Sequence, residues 1–414
     1  VTADPRRLRI TAIADTDSYV KWAAALVADA RVDGSLVVLE TELVVSDAQL
    51  TAALAGSGLA DGRVRRARLE AIADACRDAD VVLVAARGPV VRVVARAVRE
   101  ELPRAVIATG LPGISVPATW RALHFRRGCD LFVLHSHREV REFAALARER
   151  GIPQDFALAT LPFARGAGES APAGGTDLVF AAQAIVPREP DDRRRVAGIL
   201  LDAARADPDR RVVVKLRGRP GEHQTHREAD AYPDLVAEHG AAPANLVVSY
   251  APMSEALQSA EGLVTVSSTA AIEAAAAGVP VIALDDFGVS PELINVVFRG
   301  SGLLAGAADV VARRFRRPRP EWLEDNYFHD PASDTWVARA EEMARARAQG
   351  VLPHRPSPAA PGGPVRRAFE RRLALGRADT SAAGRAAYAI GVPLRALLRA
   401  ARWAGNRIRP AVRR

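Results

Sequence analysis

Short, uninterrupted runs of Val, Leu and Ile recur along this chain, each followed by a stretch of helical periodicity, and the series occurs twice. Strands are expected at Leu8–Ala14, Ser35–Leu39, Val81–Ala85, Ala105–Thr109 and Leu131–Leu134. Helices are expected at Val20–Ala30, Leu69–Asp78, Val90–Glu101 and Glu139–Arg150. Strands apolar on both faces must be covered on both faces, so the pattern predicts a parallel sheet between helical layers. Ala164–Thr176 then breaks the periodicity with Gly, Ala, Ser and Pro, the composition of a linker. The pattern restarts with strands at Leu178–Ala181, Val212–Leu216, Leu246–Ser249, Gly262–Val266 and Val279–Leu284. Its helices fall at Arg193–Arg205, Ser254–Ser259 and Thr269–Ala277. The predicted fold is α/β, with two Rossmann-like doubly wound domains facing a cleft and a basic helical tail. The expected boundaries are 1–165, linker 166–176, 177–350, a Pro/Gly linker 351–364 and a tail 365–414.

Composition narrows the function classes. With 49% hydrophobic and 26% charged residues in 414, most of the chain is expected to be globular. The longest apolar run, Thr269–Leu284, is short and carries Glu273, whereas a bilayer span takes roughly 20 apolar residues. No charged-then-apolar leader pattern precedes the first strand, which places the expected location in the cytoplasm. Cys76 and Cys129 form no metal or disulfide spacing and read as small core residues. The net charge of +8 is concentrated in one place. Residues 365–414 hold 13 Arg against Glu370 and Asp379, a net +11, so the other 364 residues carry −3. A mildly acidic body with a basic tail argues against a uniformly basic nucleic-acid binder. Arg interspersed with Leu373, Leu375, Ile390, Leu394, Leu397, Leu398 and Trp403 suits an anionic membrane surface instead. The expected location is therefore the inner face of the plasma membrane, with peripheral attachment. Basic residues elsewhere are nearly all Arg; the two lysines are Lys21 and Lys215.

In open parallel sheets ligands bind beyond the carboxyl ends of the strands. After the first strand comes Asp15-Thr16-Asp17-Ser18-Tyr19-Val20-Lys21. Either Asp could act as general base on an acceptor hydroxyl, with Ser18 and Lys21 as acceptor contacts; Asp17 or Ser18 could equally cap the following helix. Gly110 and Gly113 would let backbone approach a ligand. His135 or His137 could be a general base or an acceptor contact; between them Ser136 is expected to cap a helix, with Glu139 closing a capping box. In the second half, Lys215, Arg217, Arg219, His223 and His226 are five potential cations within twelve residues, a density suited to a departing phosphate. Ser267, Ser268 and Thr269 end a strand where a helix begins, the setting for a phosphate contact or for simple capping. Glu273 follows inside the helix, within reach of a ribose. Asp285-Asp286-Phe287-Gly288 could hold a metal, but its better readings are a segment that orients donor or acceptor, or a strand-ending turn.

The run Ser267-Ser268, an Ala-rich helix with Glu273, then Gly278-Val279-Pro280-Val281-Ile282 resembles the nucleotide-binding segment of GT-B glycosyltransferases. It is most similar to the branch of bacterial polysialyltransferases and CDP-glycerol-dependent polymerases. The segments Ala14-Asp15-Thr16-Asp17-Ser18-Tyr19-Val20-Lys21-Trp22 and Gly221-Glu222-His223-Gln224-Thr225-His226 also resemble those of an uncharacterised glycosyltransferase-like family of high-GC Gram-positive bacteria. The likeness spans about residues 8–345. It implies that Ser267 and Ser268 hold the donor phosphate; Lys215, Arg217, Glu222, Thr225, Thr269 and Glu273 are the further donor contacts expected from the sequence. It also implies that His223 or His226 assists the leaving nucleotide and that Asp15 or Asp17 is the base. The chain departs from the pattern in having no His-Pro dipeptide and in placing Thr265 eight positions before Glu273, where retaining enzymes of this fold commonly carry a second Glu. The expected activity is therefore inverting and metal-independent, with no cofactor. The expected donor is a nucleotide sugar, CMP-linked in preference to UDP-linked, and the acceptor a glycan or lipid-linked glycan of the cell envelope. A CDP-glycerol-type phosphotransferase, a sugar-nucleotide epimerase and a non-catalytic nucleotide-sugar binder are the rival expectations.

Overall fold

The computed structural model describes residues 7–164, 174–216, 230–355 and 363–407. The first lobe runs β1 (Leu8–Ala14), α1 (Asp17–Val27), β2 (Val32–Leu39), α2 (Asp47–Leu54), β3 (Val64–Ala67), α3 (Ile72–Ala75) and β4 (Val81–Ala85). It continues through α4 (Gly88–Glu101), β5 (Val106–Gly110), α5 (Trp120–Arg126), β6 (Leu131–Leu134), α6 (His137–Glu149) and β7 (Asp155–Leu158). Its seven strands pair in the order β3-β2-β1-β4-β5-β6-β7, all parallel. The second lobe runs β8 (Asp177–Ala181), α7 (Pro190–Ala206), β9 (Val212–Lys215), α8 (Tyr232–Ala237), β10 (Leu246–Ser249), α9 (Met253–Gln258), β11 (Ala260–Thr265) and α10 (Ala270–Ala276). It ends in β12 (Val281–Leu284), β13 (Leu304–Ala305), α11 (Ala307–Val311) and α12 (Pro320–Asp325). Its six parallel strands have the order β10-β9-β8-β11-β12-β13.

Both sheets reverse strand order once, between β1 and β4 and between β8 and β11. At such a reversal the crossover helices leave on opposite faces, which opens a crevice at the strands' carboxyl ends. The apolar runs are buried for the reason the pattern implied: β4 and β8 are inaccessible along their whole length.

The chain's last part differs from a simple tail beyond two lobes. The helix α13 (Trp336–Ala348) lies within 177–350, yet Trp336, Val337, Ala340 and Met343 pack in the first lobe's core. Its entry is fixed by Thr335, which donates its N–H to Leu158 O at 2.9 Å and accepts from Leu158 N at 3.0 Å. A buried ion pair, Arg347 to Asp130 at 3.0 Å, holds its far end. Next, α14 (Gly363–Leu375) buries Ala374 and Leu375 against the cluster formed by α3 and α4. The helix α15 (Ala382–Arg407) then folds back on α14, with Phe369 and Tyr388 stacked at 6.1 Å. No helix among the described residues is long and apolar enough to cross a membrane.

Candidate functional site

The carboxyl end of β1 carries the first expected residues, and the structure separates them. Asp15 has no exposed surface; Oδ2 accepts from Arg87 Nε at 2.7 Å and Oδ1 from Arg87 N at 3.2 Å. Burial raises its pKa, with the Arg87 guanidinium opposing the shift. Asp15 thus ties β1 to the β4–α4 loop, with its carboxylate buried against Arg87. Asp17 is half-buried at the first residue of α1 and accepts from Ser18 Oγ at 3.3 Å. The cap position itself is Thr16, whose side chain makes no capping bond, so neither Asp17 nor Ser18 is the N-cap. Lys21, one turn on, faces the other lobe: its ammonium lies 3.5 Å from Glu273 and 5.2 Å from the Phe163 ring centre.

His135 and Gly110 both meet Trp22 in the first lobe. His135 is fully buried; Nε2 accepts from Trp22 Nε1 at 2.6 Å and Nδ1 donates to Ala159 O at 2.7 Å. Both ring nitrogens are used, and burial lowers the pKa, so the ring is neutral with its proton on Nδ1. At Gly110 a Cβ would meet Trp22 Cη2 at 2.4 Å: the indole, not a ligand, occupies the space a side chain would take. Gly113 does serve a close approach, since a Cβ there would lie 2.7 Å from Thr269 Cγ2 of the second lobe. His137 is half-buried at the start of α6, edge-on to His329 at 5.3 Å. Ser136 caps α6 by accepting from Glu139 N at 3.0 Å. The expected capping box is not closed, however. The Glu139 carboxylate accepts from His135 N at 2.9 Å, Ser115 N at 2.8 Å and Tyr327 Oη at 2.7 Å.

On the second lobe, Ser267, Ser268 and Thr269 follow β11 at the strand reversal. Gln183, at the end of β8, accepts at its Oε1 from Ser267 N at 3.0 Å and Ser267 Oγ at 3.1 Å. Ser268 Oγ accepts from Ala270 N at 3.2 Å, while Thr269 makes no side-chain cap bond. Thr265 is buried and donates to Ala181 O at 3.2 Å. Lys215 ends β9, buried, with its ammonium donating to Leu216 O. Arg217, Arg219, Glu222, His223, Thr225 and His226 lie outside the described residues. Asp285 ends β12 in the expected turn, Gly288 N donating to Asp285 O at 2.8 Å with Gly288 at φ 83°. Asp286 pairs with Arg195 at 3.1 Å. Among the described residues no three His, Cys, Asp or Glu are grouped to hold a metal ion.

Across the cleft Lys21 meets Glu273 and Gly113 meets Thr269, with Asp17 and Ser18 in the turn of α1 before Lys21. Sequence reading missed Gln183, Arg87 and Arg126. Arg126 is buried and reaches Tyr19 Oη at 2.9 Å, Ala86 O at 3.1 Å and Gly110 O at 3.2 Å. An isolated Gln or Arg carries no motif; only its position beneath the cleft marks it.

Two parallel doubly wound lobes with this cleft and a returning C-terminal helix define the GT-B fold. Residues 10–343 match the family described as "Putative glycosyltransferase (DUF6716)", and the chain belongs to that family. No curated protein matches it. Among solved structures, S. aureus MnaA in a co-structure with UDP is similar with a TM-score of 0.51 at 11% identity, covering 85% of this chain and 100% of its own. A Methanocaldococcus jannaschii UDP-GlcNAc 2-epimerase in complex with UDP-GlcNAc and UDP has a TM-score of 0.50 at 12% identity, covering 81% and 99%. At these identities the likeness concerns the fold.

Proposed function

We propose that the protein is an inverting, metal-independent glycosyltransferase that moves a sugar from a nucleotide-activated donor to a glycan or lipid-linked acceptor of the cell envelope. The observation that carries this reading is the approach of Lys21 to Glu273 across the cleft at 3.5 Å, with Asp17 one turn before Lys21 on α1. Asp17 is the half-buried acid at the mouth of the first lobe and serves as base on the acceptor hydroxyl. The attack on the anomeric carbon comes from the face opposite the donor phosphate and inverts it. Ser267, Ser268 and Thr269 bind that phosphate with Lys215, whose ammonium stabilises the charge developing on the leaving group. Glu273 exchanges Lys21 for a ribose hydroxyl. Thr265, where a retaining enzyme would carry a second carboxylate, is buried and bonded to backbone, which favours inversion. Arg217, His223 and His226 keep the donor-side roles expected from their sequence.

The acceptor is presented at an anionic membrane by α15, whose Ile390, Leu394 and Leu397 are 68%, 54% and 68% exposed and share one helical face by their spacing. Replacing these three by Ser is expected to abolish co-sedimentation with phosphatidylglycerol vesicles; retained binding would overturn the membrane role.

The donor is tested by thermal shift with CMP, CDP, UDP, GDP and their conjugates. A CMP-sugar response supports an acidic-sugar donor, and a UDP-sugar response matches the UDP of the two similar structures. A CDP-glycerol response would replace sugar transfer with phosphotransfer. With the responding donor, Asp17→Asn is expected to lower turnover by roughly 10²–10⁴; unchanged turnover would remove Asp17 as base. The epimerase described above favours a second reading, sugar-nucleotide epimerisation. NMR of UDP-GlcNAc incubated without acceptor decides it: appearance of the 2-epimer would displace the transferase reading.

A further inference from the structure

A second charged cluster lies where α14 packs on α4, beside α5. One carboxylate, Glu370, stands among several guanidinium groups. Arg366 Nε lies 3.0 Å from its Oε1, Arg92 Nη1 3.5 Å from the same oxygen, and Arg96 Nη2 3.8 Å from Oε2. Arg127 also faces Arg92: together with Arg96 and Arg366 it lowers the Arg92 pKa, after the larger effect of burial and against the pull of Glu370. His124 joins the group, its Nε2 2.5 Å from Arg92 Nη2.

The cluster leaves more donors unpaired than acceptors. Arg92 Nε, Arg96 Nε, Arg127 Nε and His124 Nδ1 are buried without a hydrogen-bond partner among the described residues, against one acceptor in the same state, Glu370 Oε2. Arg92 and Arg96 side chains are only 16% and 11% exposed, so solvent does little for them. Four guanidinium groups against one carboxylate leave a surplus of three positive charges. Holding such a surplus at a spot where Arg92 and Arg96 are largely buried is costly unless an anion joins it. Arg366 is 55% exposed, so the cluster reaches the surface on that side.

We propose that this cluster is a binding site for a phosphoryl group. A phosphate ester supplies both what is lacking, negative charge and several acceptor oxygens in the geometry that guanidinium forks fit. The site lies at the root of the exposed apolar helix, since Glu370 follows Phe369, which stacks on Tyr388 of α15. An anionic lipid headgroup and a free phosphate share this chemistry. The inference does not depend on the transferase reading, because none of its residues lies in the proposed donor site.

The test uses the full chain, with inorganic phosphate against chloride at equal ionic strength, read as melting temperature over a phosphate titration. Phosphate is expected to stabilise the wild type, and the double variant Arg92→Gln, Arg96→Gln to lose affinity by about tenfold or more. Glu370→Gln removes the competing carboxylate and is expected to bind phosphate more tightly, a gain that a folding defect would not produce. Ser267→Ala, at the proposed donor site, is expected to leave this response in place, so the two readings fail separately. Co-sedimentation with phosphatidylglycerol and phosphatidylcholine vesicles distinguishes the sources. Headgroup binding predicts loss of phosphatidylglycerol affinity in the double variant; a free phosphate predicts unchanged vesicle binding with the titration still altered. No stabilisation of the wild type, equal stabilisation of the double variant, or weaker binding by Glu370→Gln would overturn the proposal.

Discussion

Glu139 shows how a side chain with an ordinary local role can be taken over by its neighbours. It stands where a capping-box acid should, yet its carboxylate reaches past the cap to two backbone donors of its own lobe and one hydroxyl of the second. Glu139→Gln would set an amide against those donors and is expected to destabilise by about 2 kcal/mol or more, whereas Tyr327→Phe removes one bond and is expected to cost about 1 kcal/mol. Urea unfolding of both variants checks the order; a larger loss for Tyr327→Phe would show that Glu139 is not the hub. The cysteines give a second prediction. Burial pushes Cys76 and Cys129 up to about 12, so thiolate is scarce at neutral pH. Neither should react with iodoacetamide in the native state, and both should react in denaturant; mass spectrometry would read the difference.

At the scale of elements, α13 is held to the first lobe by a polar clasp as well as by its apolar face. Asp334 accepts from Thr160 N at 2.6 Å and Thr160 Oγ1 at 3.0 Å, and lies 3.0 Å from His329 Nε2. Burial pushes the Asp334 pKa up, but the bonds from His329 and Thr160 outweigh it and the net shift is downward. A depressed carboxyl contributes stability above its unfolded value of about 3.9, and loses it as pH falls through the lower folded value. Asp334→Asn is therefore expected to lower the melting temperature at pH 7, with the gap to wild type narrowing below pH 4. A gap that stayed constant with pH would mean that the charge is not what holds α13. The stacking of α14 and α15 explains why the basic C-terminal segment is not simply a solvated tail: its first helix buries Ala374 and Leu375.

For the whole molecule, the lobes come into tight contact at one point of the cleft. Gly113 faces Thr269 with no room for a methyl group. Gly113→Ala is expected to hold the lobes apart and lower turnover, and Thr269→Ser in the same chain, which removes Cγ2 and keeps the hydroxyl, is expected to restore it. Failure of the second change to rescue the first would show that the approach of the lobes is not set at this point.

The two-lobe architecture was legible from residue pattern alone. Runs such as Val81–Ala85 and 212–214 are apolar on both faces, and a strand buried on both sides admits few arrangements. The strand-end loops were legible too, because ligand crevices in parallel sheets lie at carboxyl ends. Three things were not. Asp15 and Asp17 look alike in sequence; the Arg87 guanidinium, 72 positions away, makes one a buried strut. His135 looks like a site residue until Trp22 and Ala159 occupy both its nitrogens. The docking of α13 onto the first lobe depends on Thr335 meeting Leu158, 177 positions apart. Periodicity reports which face of an element is buried. Which partner covers that face, and which polar groups meet there, is decided only when distant segments pack.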